Sequence, residues 1–152
     1  MKLIILSPNL HLIFSEEQKK SLEQKYDVEY FTTPDVIQNI SILQSDKEKI
    51  IAIDPDFCGW KVTRADIDSM KQVKAICLQT TSFHYIDTPY CKSLGIPVLN
   101  LKGFSANAVA ETVMMMMFAL ARKLPMVLRE GCKVDFERYR GVELSGRKIG
   151  II

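Results

Sequence analysis

Five short, largely apolar segments recur along the first hundred residues, and their spacing leaves the chain few folds to adopt. Residues 3–6, 28–31, 50–53, 73–78 and 97–99 are each too short for a buried helix and long enough for a buried strand. Helix-start signals stand between them. Ser15-Glu16-Glu17-Gln18 has the capping-box pattern and opens a polar helix to about Lys25. Thr33-Pro34-Asp35 places a cap, a first-turn proline and an acid in the order a helix start favours. That helix is expected to reach about Leu43, with Val36, Ile37, Ile40 and Leu43 inward. Thr63 to Asp66 repeats the box in acidic form and opens a short helix to about Met70. A further helix is expected from about Tyr85 to Ser93, closed by Gly95 as a left-handed C-cap. Strands alternating with helices predict an α/β fold with a doubly wound parallel five-stranded sheet, in the flavodoxin-like order 2-1-3-4-5. Loops 7–14, 54–60 and 79–84 would then share the carboxyl edge, where such sheets bind ligands.

After the sheet comes a different kind of segment. Residues 106–123 contain no Gly or Pro and are mostly Ala, Met and Leu, all good helix formers. Ser105 is placed to cap this helix. Residues 113–121 are apolar without a break, so the polar stripe of Asn107, Glu111 and Arg122 is narrow. Nine apolar residues are about half of a bilayer crossing. The expectation is a helix covered by a second domain or subunit, its run of methionines at 114–117 serving as adaptable packing. Residues 124–146 read as less regular, and 148–152 as the beginning of a buried parallel strand.

Composition narrows the function. A net charge of +2, with lysines dispersed among nearly as many acids, argues against a nucleic-acid surface. Cys58, Cys77, Cys91 and Cys132 lack metal or redox spacing, so reduced structural cysteines in a cytoplasmic protein are expected. The first apolar run stops at Ser7-Pro8-Asn9, too soon for a signal peptide.

Four stretches, in order, carry a resemblance. They are Thr80-Thr81-Ser82-Phe83-His84-Tyr85-Ile86-Asp87; Gly95-Ile96-Pro97-Val98-Leu99-Asn100; Gly103 through Val109-Ala110-Glu111; and Gly141-Val142-Glu143-Leu144 with Gly146 and the final Lys148-Ile149-Gly150-Ile151-Ile152. With these residues the chain resembles the D-isomer-specific 2-hydroxyacid dehydrogenases over residues 73–152, while residues 1–72 share only the general strand–helix pattern.

The resemblance implies a substrate-binding domain at 1–100. At 101–152 it implies an interdomain hinge helix and the first strand of a Rossmann NAD-binding domain. The reaction implied is hydride transfer between a nicotinamide (NAD, with NADP not excluded) and a D-2-hydroxy or 2-oxo acid, in a homodimer formed through a region including 106–123. In the family the loop matching Thr80, Thr81 and Ser82 holds the substrate carboxylate through main-chain amides, usually with glycine where Ser82 stands. Ser105 matches a position facing the cleft. The family's glycine-rich phosphate turn, arginine and catalytic histidine have no match here. The chain is therefore expected to be an inactive fragment with no catalytic, cofactor or metal residues of its own. His84 falls in a variable part of the motif and is not expected to catalyse.

Two other classes fit the same strand pattern. One is a dehydrogenase-like module kept for dimerisation or regulation. The other is a phospho-receiver domain using Asp54 and Lys102, although such a domain needs an acidic pair where this chain has Ser7-Pro8-Asn9.

Overall fold

The computed structural model describes residues 1–151 except Val134, and the chain divides into two compact units, Met1–Gly103 and Phe104–Ile152. The first unit is built on strands β1 (Lys2–Leu6), β2 (Asp27–Phe31), β3 (Lys49–Ile53), β4 (Val73–Leu78) and β5 (Val98–Leu99). All pair in parallel in the order β2-β1-β3-β4-β5. The strand order reverses between β1 and β3, so the carboxyl edge there is the switch point where a ligand crevice opens.

One sheet face carries Ile4, Leu6, Ile51, Ile53, Ile76 and Leu78, all essentially inaccessible, and packs on Ile37, Ile40, Leu43, Phe57, Ile67, Tyr85 and Cys91. β1 is buried along its whole length, whereas β3 alternates between buried and half-buried residues. At the opposite, amino edge the ammonium of Lys49 is buried and bonded to the carbonyls of Ser45 (2.7 Å) and Lys71 (2.5 Å). Burial pushes its pKa below the usual lysine value, partly offset by Asp46.

The connecting elements follow local chemistry closely. Helix α1 (Leu10–Ile13) is a single turn in the loop after β1, and α2 (Glu16–Glu23) has both halves of the Ser15–Gln18 capping box. Helix α3 (Arg64–Ser69) likewise has the reciprocal Thr63–Asp66 box. Helix α4 (Thr88–Ser93) starts three residues later than expected. Asp87 supplies the cap by accepting from the Tyr90 N–H, and Pro89 sits in the first turn. Gly95, at φ +72°, ends it in the left-handed conformation that glycine enters at no steric cost.

The expected helix at 34–43 does not form. Two 3₁₀ turns, Ile37–Asn39 and Ser41–Gln44, take its place, separated by Ile40 in an extended conformation. Ile37, Ile40 and Leu43 are buried as expected, but Val36 is exposed. Four β-branched residues in seven, Val36, Ile37, Ile40 and Ile42, weaken the helix.

In the second unit, helix α5 (Ala106–Ala121) ends two residues short of expectation, and a further helix, α6 (Leu124–Arg129), follows a left-handed Lys123. Ser105 does not cap α5. Its backbone lies at φ −101°, ψ 5°, outside the extended region a capping residue uses, and its side chain makes no cap bond. None of the α5 residues is buried. Gly141 packs against the end of α5, where the neighbouring Val142 N–H donates to the Ala121 carbonyl (2.8 Å). The expected strand at 148–152 is not formed over 148–151, because a strand exists only where a neighbour supplies its ladder; Ile152 lies outside the described residues.

Candidate substrate-binding site

Three polar side chains follow the three central strands at the carboxyl edge: Ser7 after β1, Asp54 after β3 and Gln79 after β4. Ser7 and Asp54 are buried, and the Ser7 hydroxyl donates to Asp54 Oδ2 at 2.6 Å. Asp54 also accepts from the Asp56 N–H (3.0 Å). A cavity of about 40 Å³ touches all three residues. Asp54 is thus turned inward onto a hydroxyl, which is the wrong setting for the phosphoacceptor of a receiver domain.

The loop after β4 has an unusual hydrogen-bond inventory. The Thr80 carbonyl accepts from the Leu101 N–H (3.0 Å), the Thr81 carbonyl from Asn100 Nδ2 (2.7 Å), and the Ser82 carbonyl from the Thr80 hydroxyl (2.7 Å). Among the described residues, no acceptor is bonded to the main-chain N–H groups of Thr80, Thr81, Ser82 or Phe83. The main-chain carbonyls of residues 80–83 are each bonded while the main-chain N–H groups remain available. A run of free amides is a local positive field without any charged side chain, and a carboxylate is the small anion it suits. Ser82 has no positive φ, so a side chain at this point of the turn carries no left-handed strain.

The walls of this loop come from residues the motif did not single out. Tyr85 is buried behind it, its hydroxyl 3.4 Å from that of Thr80. Burial raises the Tyr85 pKa above the ordinary phenol value, with the Thr80 bond opposing the shift. Trp60 rests edge-on against Tyr85, 5.6 Å between ring centres, and its indole N–H donates to Asp56 (2.9 Å). It does so from a left-handed backbone at φ +58°, a conformation a bulky residue enters only under constraint. Asn100 had a weak signal in the sequence, as the polar residue that ends β5. Trp60 had none beyond its neighbour Gly59.

Thr80, Thr81 and Ser82 therefore lie together in the first unit. Ser105 belongs to the second, half-buried at the start of α5. His84 is exposed and stacked on Phe83, 5.0 Å between rings, with no hydrogen-bonded carboxylate among the described residues to tune it. Burial raises the thiol pKa values of Cys58, Cys77 and Cys91, as it does for unreactive structural cysteines. Among the described residues no three His, Cys, Asp or Glu side chains converge as a metal site, and no helix is long and apolar enough to cross a membrane.

Comparison with known proteins agrees with this reading of the fold. Residues 5–138 match the family model of the D-isomer specific 2-hydroxyacid dehydrogenase catalytic domain. Among curated relatives, a D-3-phosphoglycerate dehydrogenase of Methanocaldococcus jannaschii is 30% identical over the whole of this chain, which spans 28% of that protein. A hydroxypyruvate reductase of Thermotoga maritima is 34% identical over 70% of this chain and 38% of its own length. The chain thus spans well under half of these relatives. Among solved structures, an acyclic imino acid reductase with NADPH and D-Arg superposes with a TM-score of 0.74 at 24% identity, over 95% of this chain and 46% of that one. The Aquifex aeolicus D-lactate dehydrogenase with NAD and lactic acid superposes at 0.69 and 20% identity, over 95% and 41%.

Proposed function

Because the chain belongs to the D-isomer specific 2-hydroxyacid dehydrogenase family, we propose that residues 1–100 form the substrate-binding domain of a nicotinamide-dependent dehydrogenase acting on a D-2-hydroxy or 2-oxo acid. The observation that carries this reading is the loop at 80–83, with its carbonyls occupied and its amides free. Those N–H groups hold the substrate carboxylate and fix the position of the adjoining C2. Charge-assisted hydrogen bonds to main-chain donors suit this task, since they are directional and need no titratable partner. Ser105, at the start of α5, is assigned a substrate-binding role of its own, as the position it matches in the family suggests.

The chemistry at C2 is hydride transfer with NAD or NADP. The described residues contain no glycine-rich strand-to-helix turn for a dinucleotide, so this chain's share of the work is to bind and orient the acid. Residues 101–152 are the hinge and the beginning of the nucleotide domain, and the complete enzyme is a cytoplasmic homodimer with α5 in its interface. The test is a coupled assay of the complete protein, following NADH or NADPH consumption over a panel of 2-oxo acids. Turnover of at least one acid is expected, and no turnover with any of them rejects the reading.

A further inference from the structure

Neighbouring peptides in the 80–82 loop are held from one side by a single strip of chain. Cys77 pairs with Leu99 in the parallel ladder, which brings residues 100 and 101 alongside 80 and 81. The Leu101 N–H then anchors the Thr80 carbonyl, and the Asn100 side chain anchors the Thr81 carbonyl at 2.7 Å. Because a carbonyl accepts only from a donor, the Asn100 amide must present its nitrogen here. Among the described residues there are no cis peptide bonds, and in a trans peptide the C=O and the following N–H point in opposite directions. Anchoring the two carbonyls to residues 100 and 101 therefore turns the N–H groups of Thr81 and Ser82 away from that strip, toward one side. Only the Thr81 anchor is a side chain, so it alone can be changed by substitution without touching the backbone.

We propose that Asn100 is the positioning residue of the anion loop: its side chain fixes the 81–82 peptide so that the Ser82 N–H faces the substrate carboxylate. The inference rests on the function proposed above but does not follow from it, since amides could bind a carboxylate with Asn100 serving only the surface. Asn100 touches no substrate in this arrangement. It acts through the peptide it holds.

The test uses the 152-residue chain, with ¹⁵N amide spectra recorded during titration with pyruvate. Saturable shifts at Thr81 and Ser82 are expected. Asn100→Ala should weaken pyruvate by about 3- to 10-fold, the range for losing one ordinary hydrogen bond, with the amides of Ile76 and Leu78 unmoved. Asn100→Gln, which keeps a donor, should restore part of the affinity. Equal affinity for folded Asn100→Ala overturns the positioning role and leaves the proposed function standing. Pyruvate shifting no loop amide of the unmodified chain overturns both. Should Asn100→Ala not fold, the scalar coupling from the Asn100 side-chain nitrogen to the Thr81 carbonyl carbon, measured in the unmodified chain, decides: its absence with bound pyruvate rejects the proposal, and its presence supports it.

Discussion

At the scale of single residues, the candidate site depends on main-chain groups, so side-chain changes there should act through the backbone they permit. Ser82 has no positive φ and donates no hydrogen bond from its N–H among the described residues. In a dehydrogenase working as proposed, Ser82→Gly should be tolerated. Ser82→Pro deletes the donor and should raise KM for the 2-oxo acid by about 1.5–3 kcal/mol in binding terms; an unchanged KM in a folded enzyme rejects the role. Asp87 gives a pH prediction. The Tyr90 N–H it caps and then the Arg64 guanidinium (2.7 Å) hold its pKa below the ordinary 3.8. A carboxylate whose folded pKa is depressed adds stability above its unfolded value and loses it as pH falls through the folded one. Asp87→Asn keeps the cap oxygen but not the charge. The difference in urea midpoint between the two proteins should be present at neutral pH and should disappear from about pH 4 downward.

At the scale of elements, local signals succeeded wherever the element closes its own hydrogen bonds. The Ser15 and Thr63 boxes are satisfied within four residues of sequence, and both helices begin where those residues place them. The segment at 34–43 had equally good start signals and failed, because four β-branched residues within 36–42 lower its helix propensity, and Ile37, Ile40 and Leu43 are buried from 3₁₀ turns instead. Gly141 is the element-scale counterpart in the second unit. A Cβ there would stand 2.4 Å from the Ala121 carbonyl oxygen and 2.9 Å from Arg122 Cα, both backbone atoms with little room to yield. Gly141→Ala should therefore destabilise the α5 end by about 1–3 kcal/mol, as overpacking does. Gly150→Ala, which meets nothing within 4 Å, should be near neutral, and thermal melts of the two variants side by side check both.

At the scale of the molecule, α5 stands out, because none of its residues is buried. Met115, Met116, Phe118 and Leu120 are between 51% and 72% exposed. Together they leave roughly 300 Å² or more of apolar surface exposed on one helix, an amount soluble monomers seldom leave open. At about 25 cal/mol per Å² its burial is worth several kcal/mol. The 152-residue chain should self-associate, and Met115→Lys should shift it toward monomer in light scattering across a dilution series. A stable monomer at high concentration would reject this. If residues 1–100 bind and orient the acid as proposed, the 152-residue chain by itself should oxidise no hydroxy acid and reduce no oxo acid. Saturable turnover by the purified chain would show the active site to be misplaced.

The sequence alone determined the five strands, their parallel order and the loop at 80–82, because short apolar runs and nearby caps act over a few residues and leave one economical topology. Tertiary structure decided what depends on distant partners. Ser7 meets Asp54 across β1 and β3, and Asn100 meets Thr81 across β4 and β5, separations of 47 and 19 residues. Such contacts are set by strand register, which no local pattern records, and register is what turned a polar loop into a row of free amides.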